Sequence, residues 1–517
     1  MRLENVPTIR ELLDQAPTKH NDKTFIKYVK DGMLTEKSFS KVRSDSLAFC
    51  RKLRNELPDR SHIAIISKTC YEYIVSVTGV LVGNNVAIPI APDSTAKDVA
   101  EILNDADVTA VLYEAEFSDR LDRVKALCPK LSYTLCLGDT DEFEKIYTDY
   151  SDSSEFAALS DIEMDPDACA LIIYTSGTTG DRKGVMLSSY ALVCNIMYKP
   201  YSDIIVRNDV LFSVLPLYHI FCFVSDYLSP LRNGNELCLN GSMRDLFKNF
   251  LIFKPNQMRV VPLIAQSMLA RIRAVQAKHP ELSPREAAAQ VTGGNLDMML
   301  SGGAYLDPEL CKAFDEMGIF LRQGYGMSEV SGKVTVPDLD SDIACVGRLM
   351  NFVDARVVGN EVQLDTPCRM IGYYKRPEET AAVFTEDGWV KTGDIGYVND
   401  KRELFITGRL KNLIILSNGE NVSPEGIENR YKAHKIVSEV MVYAEKDLII
   451  AEVFPDEEYA KQKGITDIKS ELEEITDRLN ETALPSHTVA RLIVRDTPLE
   501  KNSMGKIKRK ISSRGDA

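Results

Sequence analysis

The chain has 517 residues, more than the roughly 250–300 at which a single core stops growing, so at least two domains are expected. Its apolar share of 44% and charged share of 27% are ordinary for a globular protein and argue against extensive disorder. A net charge of −14, from 62 basic and 76 acidic residues, argues against nucleic acid as a partner, because such proteins usually carry a basic face.

The opening MRLENVPTIRELLDQ alternates charged with apolar residues and has no continuous apolar core, so no signal peptide is expected. The longest mostly apolar run, Tyr73 to Val82, ends at Gly83, Asn84 and Asn85, well short of the roughly 18 residues of a membrane span. The 11 cysteines stand singly, without a C-x-x-C pair, which suggests neither a zinc site nor a disulfide framework. Reduced thiols and a cytoplasmic location are expected.

Short β-branched runs followed by amphipathic segments recur through the first part of the chain. IAIISK (63–68) precedes YIVSVTGVLVG, VTAVLY (108–113) precedes a charged stretch, and ALIIYT (170–175) precedes SSYALVCNIMY. This alternation predicts crossover units on mostly parallel sheets, an α/β fold. The loop after ALIIYT is the densest chemical signal: YTSGTTGDRKGVMLS places hydroxyls, glycines and Lys183 together. Glycines let backbone N–H groups turn toward an anion, hydroxyls add donors, and the lysine adds charge, so the loop is read as a phosphate site. It lacks the Gly-Lys-Ser/Thr of the P-loop.

Further on, DMMLSGGAYLDPELCKAF predicts a strand, a glycine turn and a helix, with Asp307 as N-cap and Pro308 at the first helical position. After about Asp400 the texture changes: LFIT and LIILS flank the charged GRLKN, and Pro424 opens a new segment. TDIKSELEEITDRLN places Ile468, Leu472, Ile475 and Leu479 at helical spacing. Two domains are expected, 1–408 and 409–517.

YTSGTTGDRKGVMLS resembles the signature loop of the adenylate-forming (ANL) superfamily. LPLYH (215–219), LSGGAYL (300–306), QGYGMSEV (323–330), WVKTGDIG (389–396), GRLKNLIILSNGENVSPEGIE (408–428) and PLEKNSMGKIKRK (498–510) follow in that superfamily's order. The form of the 408–428 segment is similar to acyl-CoA synthetases, the branch in which the chain is placed. The resemblance implies a large N-terminal domain of stacked α/β subdomains with mostly parallel sheets, and a small mobile α+β C-terminal domain. ATP and AMP would contact Thr175, Ser176, Gly177, Thr178, Thr179, Gly180 and Lys183 of the loop. The turn of Gly302, Gly303 and Ala304 would form the adenine wall, completed by Gly324, Tyr325, Gly326 and Ser328. Asp394 and Arg409 would hold the ribose. Glu329 would hold Mg²⁺, which takes hard oxygen ligands.

Lys506 is implied as the catalytic lysine, reaching the substrate carboxylate and the α-phosphate. His219 is implied beside the carboxylate tunnel, Lys411 as the hinge, and Ser417, Asn418 and Gly419 as the segment facing coenzyme A. Arg182 stands where the superfamily's loop has proline, adding flexibility and a second positive charge. The implied activity joins a fatty or other apolar carboxylic acid to coenzyme A through an acyl-adenylate. Two alternatives stay open: an acyl-AMP ligase serving a carrier protein, and a nucleotide-binding regulator without catalysis.

Overall fold

A computed structural model describes residues 2–151, 156, 159, 162–176, 182–198, 209–417, 420–501, 507 and 509. The chain packs as two compact units: Met1–Leu306, Leu310–Asp354 and Leu364–Val390 form the first, and Asp307–Glu309, Ala355–Gln363 and Lys391–Ala517 the second. The second unit thus takes in residues ahead of 409 as well as those after it.

The first unit is built on two seven-stranded sheets. One runs in the order Phe320–Gln323, Met298–Ser301, Gln257–Val260, Val210–Ser213, Glu236–Leu239, Thr24–Lys30 and Met33–Ser38. Every pairing in it is parallel except the last, a hairpin. The other runs Gly372–Tyr373, Arg182–Ser188, Cys169–Ser176, Val86–Ile90, His62–Ile66, Ala110–Tyr113 and Tyr133–Cys136. Its last five strands pair in parallel. The predicted crossover units are therefore present: IAIISK and ALIIYT form central strands, and helix Tyr71–Val82 is buried along almost its whole length. An apolar core takes Phe25 and Ile26 from one sheet and Ile63, Ile65 and Leu171 from the other, so the sheets are stacked through it.

One expectation is corrected. The segment after the signature loop does not lead straight into a helix; Arg182–Ser188 returns as a strand antiparallel to Cys169–Ser176, with Tyr174 opposite Gly184. Val185 and Leu187 are fully buried on this strand, so its apolar positions face the core. The helix follows at Ser189–Ile196, where the Ser188 hydroxyl accepts from Ala191 N.

The second unit holds most of a four-stranded sheet, Asp354–Val358, Glu361–Asp365, Val390–Val398 and Leu404–Arg409. It also holds a three-stranded sheet of Val437–Glu445, Leu448–Pro455 and Val489–Val494. The predicted helix is present as Ile468–Glu481, with Leu472 and Ile475 buried and Ile468 and Leu479 packed at the edge of the same core. Among the described residues no helix is long and apolar enough to cross a membrane.

Candidate functional site

The residues singled out by sequence fall into one group in each compact unit. In the first, strand Arg182–Ser188 carries Lys183 and takes the short strand Gly372–Tyr373 along its free edge, with Val185 opposite Tyr373. This pairing brings Tyr373 beside Lys183, whose Nζ lies 5.1 Å from the centre of the tyrosine ring. The same ring's hydroxyl donates to Glu329 Oε1 at 2.8 Å. Burial and the Glu329 carboxylate push the Tyr373 phenol far above the ordinary tyrosine range, so it stays protonated and acts as the donor. One aromatic side chain thus fixes both a candidate phosphate-binding cation and a candidate metal-binding carboxylate.

Glu329 sits on a tight connection. Gly326 and Met327 pair antiparallel with Lys333 and Gly332, and Ser328–Val330 forms a single 3₁₀ turn between them. A Cβ on Gly326 would lie 1.6 Å from the Gly332 carbonyl oxygen, so only glycine permits this approach. Met370 N donates to the Glu329 carbonyl at 2.7 Å, a second tie to the segment bearing Tyr373. Tyr325 is held through its backbone: its N–H donates to Thr335 Oγ1 at 2.9 Å, and its carbonyl accepts from Val334 and Thr335.

The glycine turn follows strand Met298–Ser301, as predicted. Gly302 donates to the Val260 carbonyl, and a Cβ there would meet the Phe221 ring at 3.1 Å. Gly303 has φ +79° with nothing within 4 Å of a notional Cβ, a left-handed residue at an open position, next to the exposed Ala304. Asp307 accepts from Glu309 N at 2.9 Å at the start of helix Pro308–Asp315. The turn and Gly324 are joined, since Gly324 N donates to the Ser301 carbonyl. His219 is exposed just before the short helix Ile220–Cys222, its ring tilted against Tyr218.

In the second unit, Asp394 and Arg409 are register partners on neighbouring strands. Arg409 Nε lies 2.7 Å from Asp394 Oδ1; the carboxylate is buried and the guanidinium half-exposed. Lys411 is exposed in the 3₁₀ turn Leu410–Asn412, and Ser417 N donates to Asp447 Oδ1. Gly177, Thr178, Thr179, Gly180, Asn418, Gly419 and Lys506 lie outside the described residues. Thr175 and Lys183 are described at the two strand ends flanking the loop, opposite one another in register, as are the backbones of Ser176 and Arg182.

Arg182 departs from its expected role. Its guanidinium pairs with Asp98 Oδ1 at 2.9 Å and donates to the Asp98 carbonyl, so its charge is directed to the first turn of helix Ala96–Asp105. Sequence reasoning missed Tyr373 altogether. The only available signal was its place in GYYKRPEET, which has no periodicity or spacing that marks a site.

Among the described residues no three His, Cys, Asp or Glu side chains cluster to hold a metal ion. Glu329 offers one half-buried carboxylate, with Oε1 already accepting from Tyr373. Mg²⁺ bound through one or two carboxylates plus waters and substrate phosphates suits that donor set.

Comparison with known proteins bears on the same segments. Residues 13–373 match the family of AMP-binding enzymes, and residues 411–514 match the AMP-binding enzyme C-terminal domain. A long-chain-fatty-acid–CoA ligase of Drosophila melanogaster, heimdall, is 27% identical over 72% of this chain and 64% of its own length. This chain therefore spans less than two thirds of that relative. A long-chain-fatty-acid–CoA ligase of Bacillus subtilis (strain 168) is 25% identical over 97% of this chain and 93% of its own. The crystal structure of the anthranilate CoA ligase AuaEII with anthranoyl-AMP superposes with a TM-score of 0.80 at 17% identity, covering 98% of this chain and 96% of that one. It establishes likeness of fold.

Proposed function

The chain belongs to the AMP-binding enzyme family, and on that premise we propose that it is an AMP-forming acid–thiol ligase that activates a fatty or other apolar carboxylic acid and transfers it to coenzyme A. The observation that carries the reading is the Lys183–Tyr373–Glu329 arrangement beside the signature loop, which sets a cation and a hard carboxylate on one buried ring.

The substrate carboxylate oxygen attacks the α-phosphorus of ATP; the bond to the β-phosphate oxygen breaks and pyrophosphate leaves, giving acyl-adenylate. The thiol sulfur then attacks the acyl carbon, the acyl–phosphate bond breaks, AMP leaves, and the thiol proton passes to solvent. In the first step two anions approach each other, so the protein contributes chiefly charge and position. Lys183 meets the phosphates as a compact point charge. Glu329, together with waters, would hold Mg²⁺, which would supply further neutralisation of the phosphates. Tyr373 keeps the Glu329 carboxylate turned one way and shields one side of the Lys183 ammonium, so neither group has to reorganise as the bond forms. Asp394, an acceptor-only group when ionised, suits the ribose hydroxyls, and Arg409 orients it.

Lys506 completes the first step by holding the carboxylate and the α-phosphate. Lys411 serves as the hinge by which the C-terminal part exchanges Lys506 for the Ser417–Gly419 segment before thiol attack, a gating motion that also protects the adenylate from water. A cytoplasmic setting fits a sequence whose 11 cysteines stand singly, without a C-x-x-C pair.

The test is carboxylate-dependent ATP–pyrophosphate exchange over fatty, aromatic and amino acids, with Lys506→Ala as control. Exchange that requires an acid and collapses in the variant is expected. Intact ATP binding with no exchange for any acid would overturn the ligase reading in favour of a regulator, and exchange without thioester formation from coenzyme A would turn it toward a carrier-protein thiol.

A further inference from the structure

A buried charged cluster adjoins the candidate site and has no part in the chemistry above. Asp226 is completely buried in the π-helical segment Phe223–Leu228, and neither carboxylate oxygen has a hydrogen-bond partner among the described residues. The nearest cation is Arg259, whose Nε stands 4.0 Å from Oδ1, too far for a hydrogen bond; its Nη1 donates to Gln257 at 3.2 Å. Lys333 is buried too, its Nζ 3.1 Å from Ser229 Oγ and 4.6 Å from the centre of the Tyr198 ring. Arg232, beside Tyr198, adds a third cation close enough to repel Lys333, as Arg259 does.

The cluster's place in the fold joins it to the site. Lys333 lies directly across the hairpin from Gly326, on the strand that follows Glu329. Asp226 and Ser229 continue the helical segment that begins just after His219, and Phe221 of that segment packs on Gly302. Arg259 is next to last on strand Gln257–Val260, whose final residue is the register partner of Ser301. Of these positions Arg259 and the Ser301–Gly302 step lie at the carboxyl ends of parallel strands, where open α/β sheets receive ligands, and the hairpin and the helical segment bring Lys333 and Asp226 to them.

Among the described residues the cluster brings three cations to one carboxylate. Burying unmatched charge is unfavourable. Burial, with repulsion from Arg259 and Arg232, pushes the Lys333 ammonium down to about 7. Burial likewise pushes the Asp226 carboxyl up to about 7, against the pull of the Arg259 and Lys333 charges. An entering anion would relieve the excess, taking a compact charge from Lys333 and a planar fork from Arg259.

Resting on the acid-activating reading above, and replacing its apolar acid by one charged at both ends, we infer that Lys333 and Arg259 receive the far end of the substrate, and that the preferred acid carries a second carboxylate, separated from the activated one by an apolar stem running past Ile220 and Phe221.

The test uses the full chain and ATP–pyrophosphate exchange, with monocarboxylic and α,ω-dicarboxylic acids of matched carbon number. Wild type is expected to favour the best dicarboxylate over its monocarboxylate counterpart by at least about tenfold in kcat/KM, because a site built for a polar group rejects the analogue lacking it. Lys333→Met should bring that ratio toward one through a raised KM for the diacid, and Arg259→Gln should do the same. A wild-type preference for monocarboxylates at every length overturns the inference with no variant needed and leaves the ligase reading standing. An unchanged ratio in folded Lys333→Met also overturns it. Absence of exchange with every acid overturns the ligase reading and this inference with it.

Discussion

Tyr373→Phe isolates the hydroxyl that ties Glu329 in place. Phenylalanine keeps the ring under Lys183 and the packing of a residue only 8% exposed, and removes one donor at 2.8 Å from Glu329 Oε1. A hydrogen bond to a charged acceptor contributes about 1.5–3 kcal/mol, and solvent near the half-buried carboxylate lowers this one to about 1–1.5 kcal/mol. If that energy serves to orient Glu329 in the transition state, kcat/KM for adenylation falls about five- to tenfold. A carboxylate free to rotate also binds Mg²⁺ less well, so the variant should need more Mg²⁺ for half-maximal exchange, while its thermal midpoint moves by only a few degrees. Tyr373→Leu removes the ring as well and should cost about a further threefold, in line with a cation–π contribution of about 0.5–1 kcal/mol. Exchange rates measured across a Mg²⁺ titration decide the matter: a Tyr373→Phe enzyme within twofold of wild type at both limiting and saturating Mg²⁺ would refute the positioning role.

If Lys506 acts only in the first step, as proposed, Lys506→Ala should lower adenylation at least about a hundredfold while sparing thiol attack on a supplied acyl-adenylate; measuring the two half-reactions separately checks this. Asp394→Ala should raise the KM for ATP about tenfold and abolish discrimination against 2′,3′-dideoxy-ATP, whereas wild type should reject that analogue. Asp226→Asn should flatten stability against pH. The Asp226 pKa is about 7 in the folded chain against 3.8 for the ordinary group, so its stabilising contribution is full below about 3.8 and lost as pH rises through about 7. Urea midpoints at pH 5 and pH 8 should therefore fall further apart in wild type than in the variant.

How far the sequence could be read depended on how local each signal was. IAIISK, ALIIYT and the helix at Ile468–Glu481 declare themselves because their neighbours in sequence are their neighbours on one strand or helix face. Ordered motifs carried Lys183, Glu329, Asp394 and Arg409 through a family resemblance. Tyr373 had no such mark: its acceptor lies 44 residues earlier, and its edge pairing with Arg182–Ser188 is a tertiary event. Asp226, Arg259 and Lys333 each interrupt an apolar run, FVSDYL, QMRVV and SGKVTV. A single charge in such a run reads as a solvated residue until the fold brings the three runs together. The signal lay in the burial of their flanks, which periodicity alone does not resolve.

Arg182 shows how a departure from a family pattern can keep its purpose by other physics. A proline would fix φ at the end of the signature loop without needing a partner. Here the guanidinium reaches Asp98 in the first turn of helix Ala96–Asp105, holding both its side chain and its carbonyl. Although burial pushes the Asp98 carboxyl up, hydrogen bonds from Thr95 and the charge of Arg182 hold it below the usual range, so the pair is ionised at neutral pH. Both partners remain about 30% exposed, and solvent and salt reach them. A proline's constraint is indifferent to ionic strength; this anchor is not. The strand that presents Lys183 is therefore tied at its start by an interaction that weakens as salt rises, and ATP binding should inherit part of that dependence beyond the screening of the phosphates themselves.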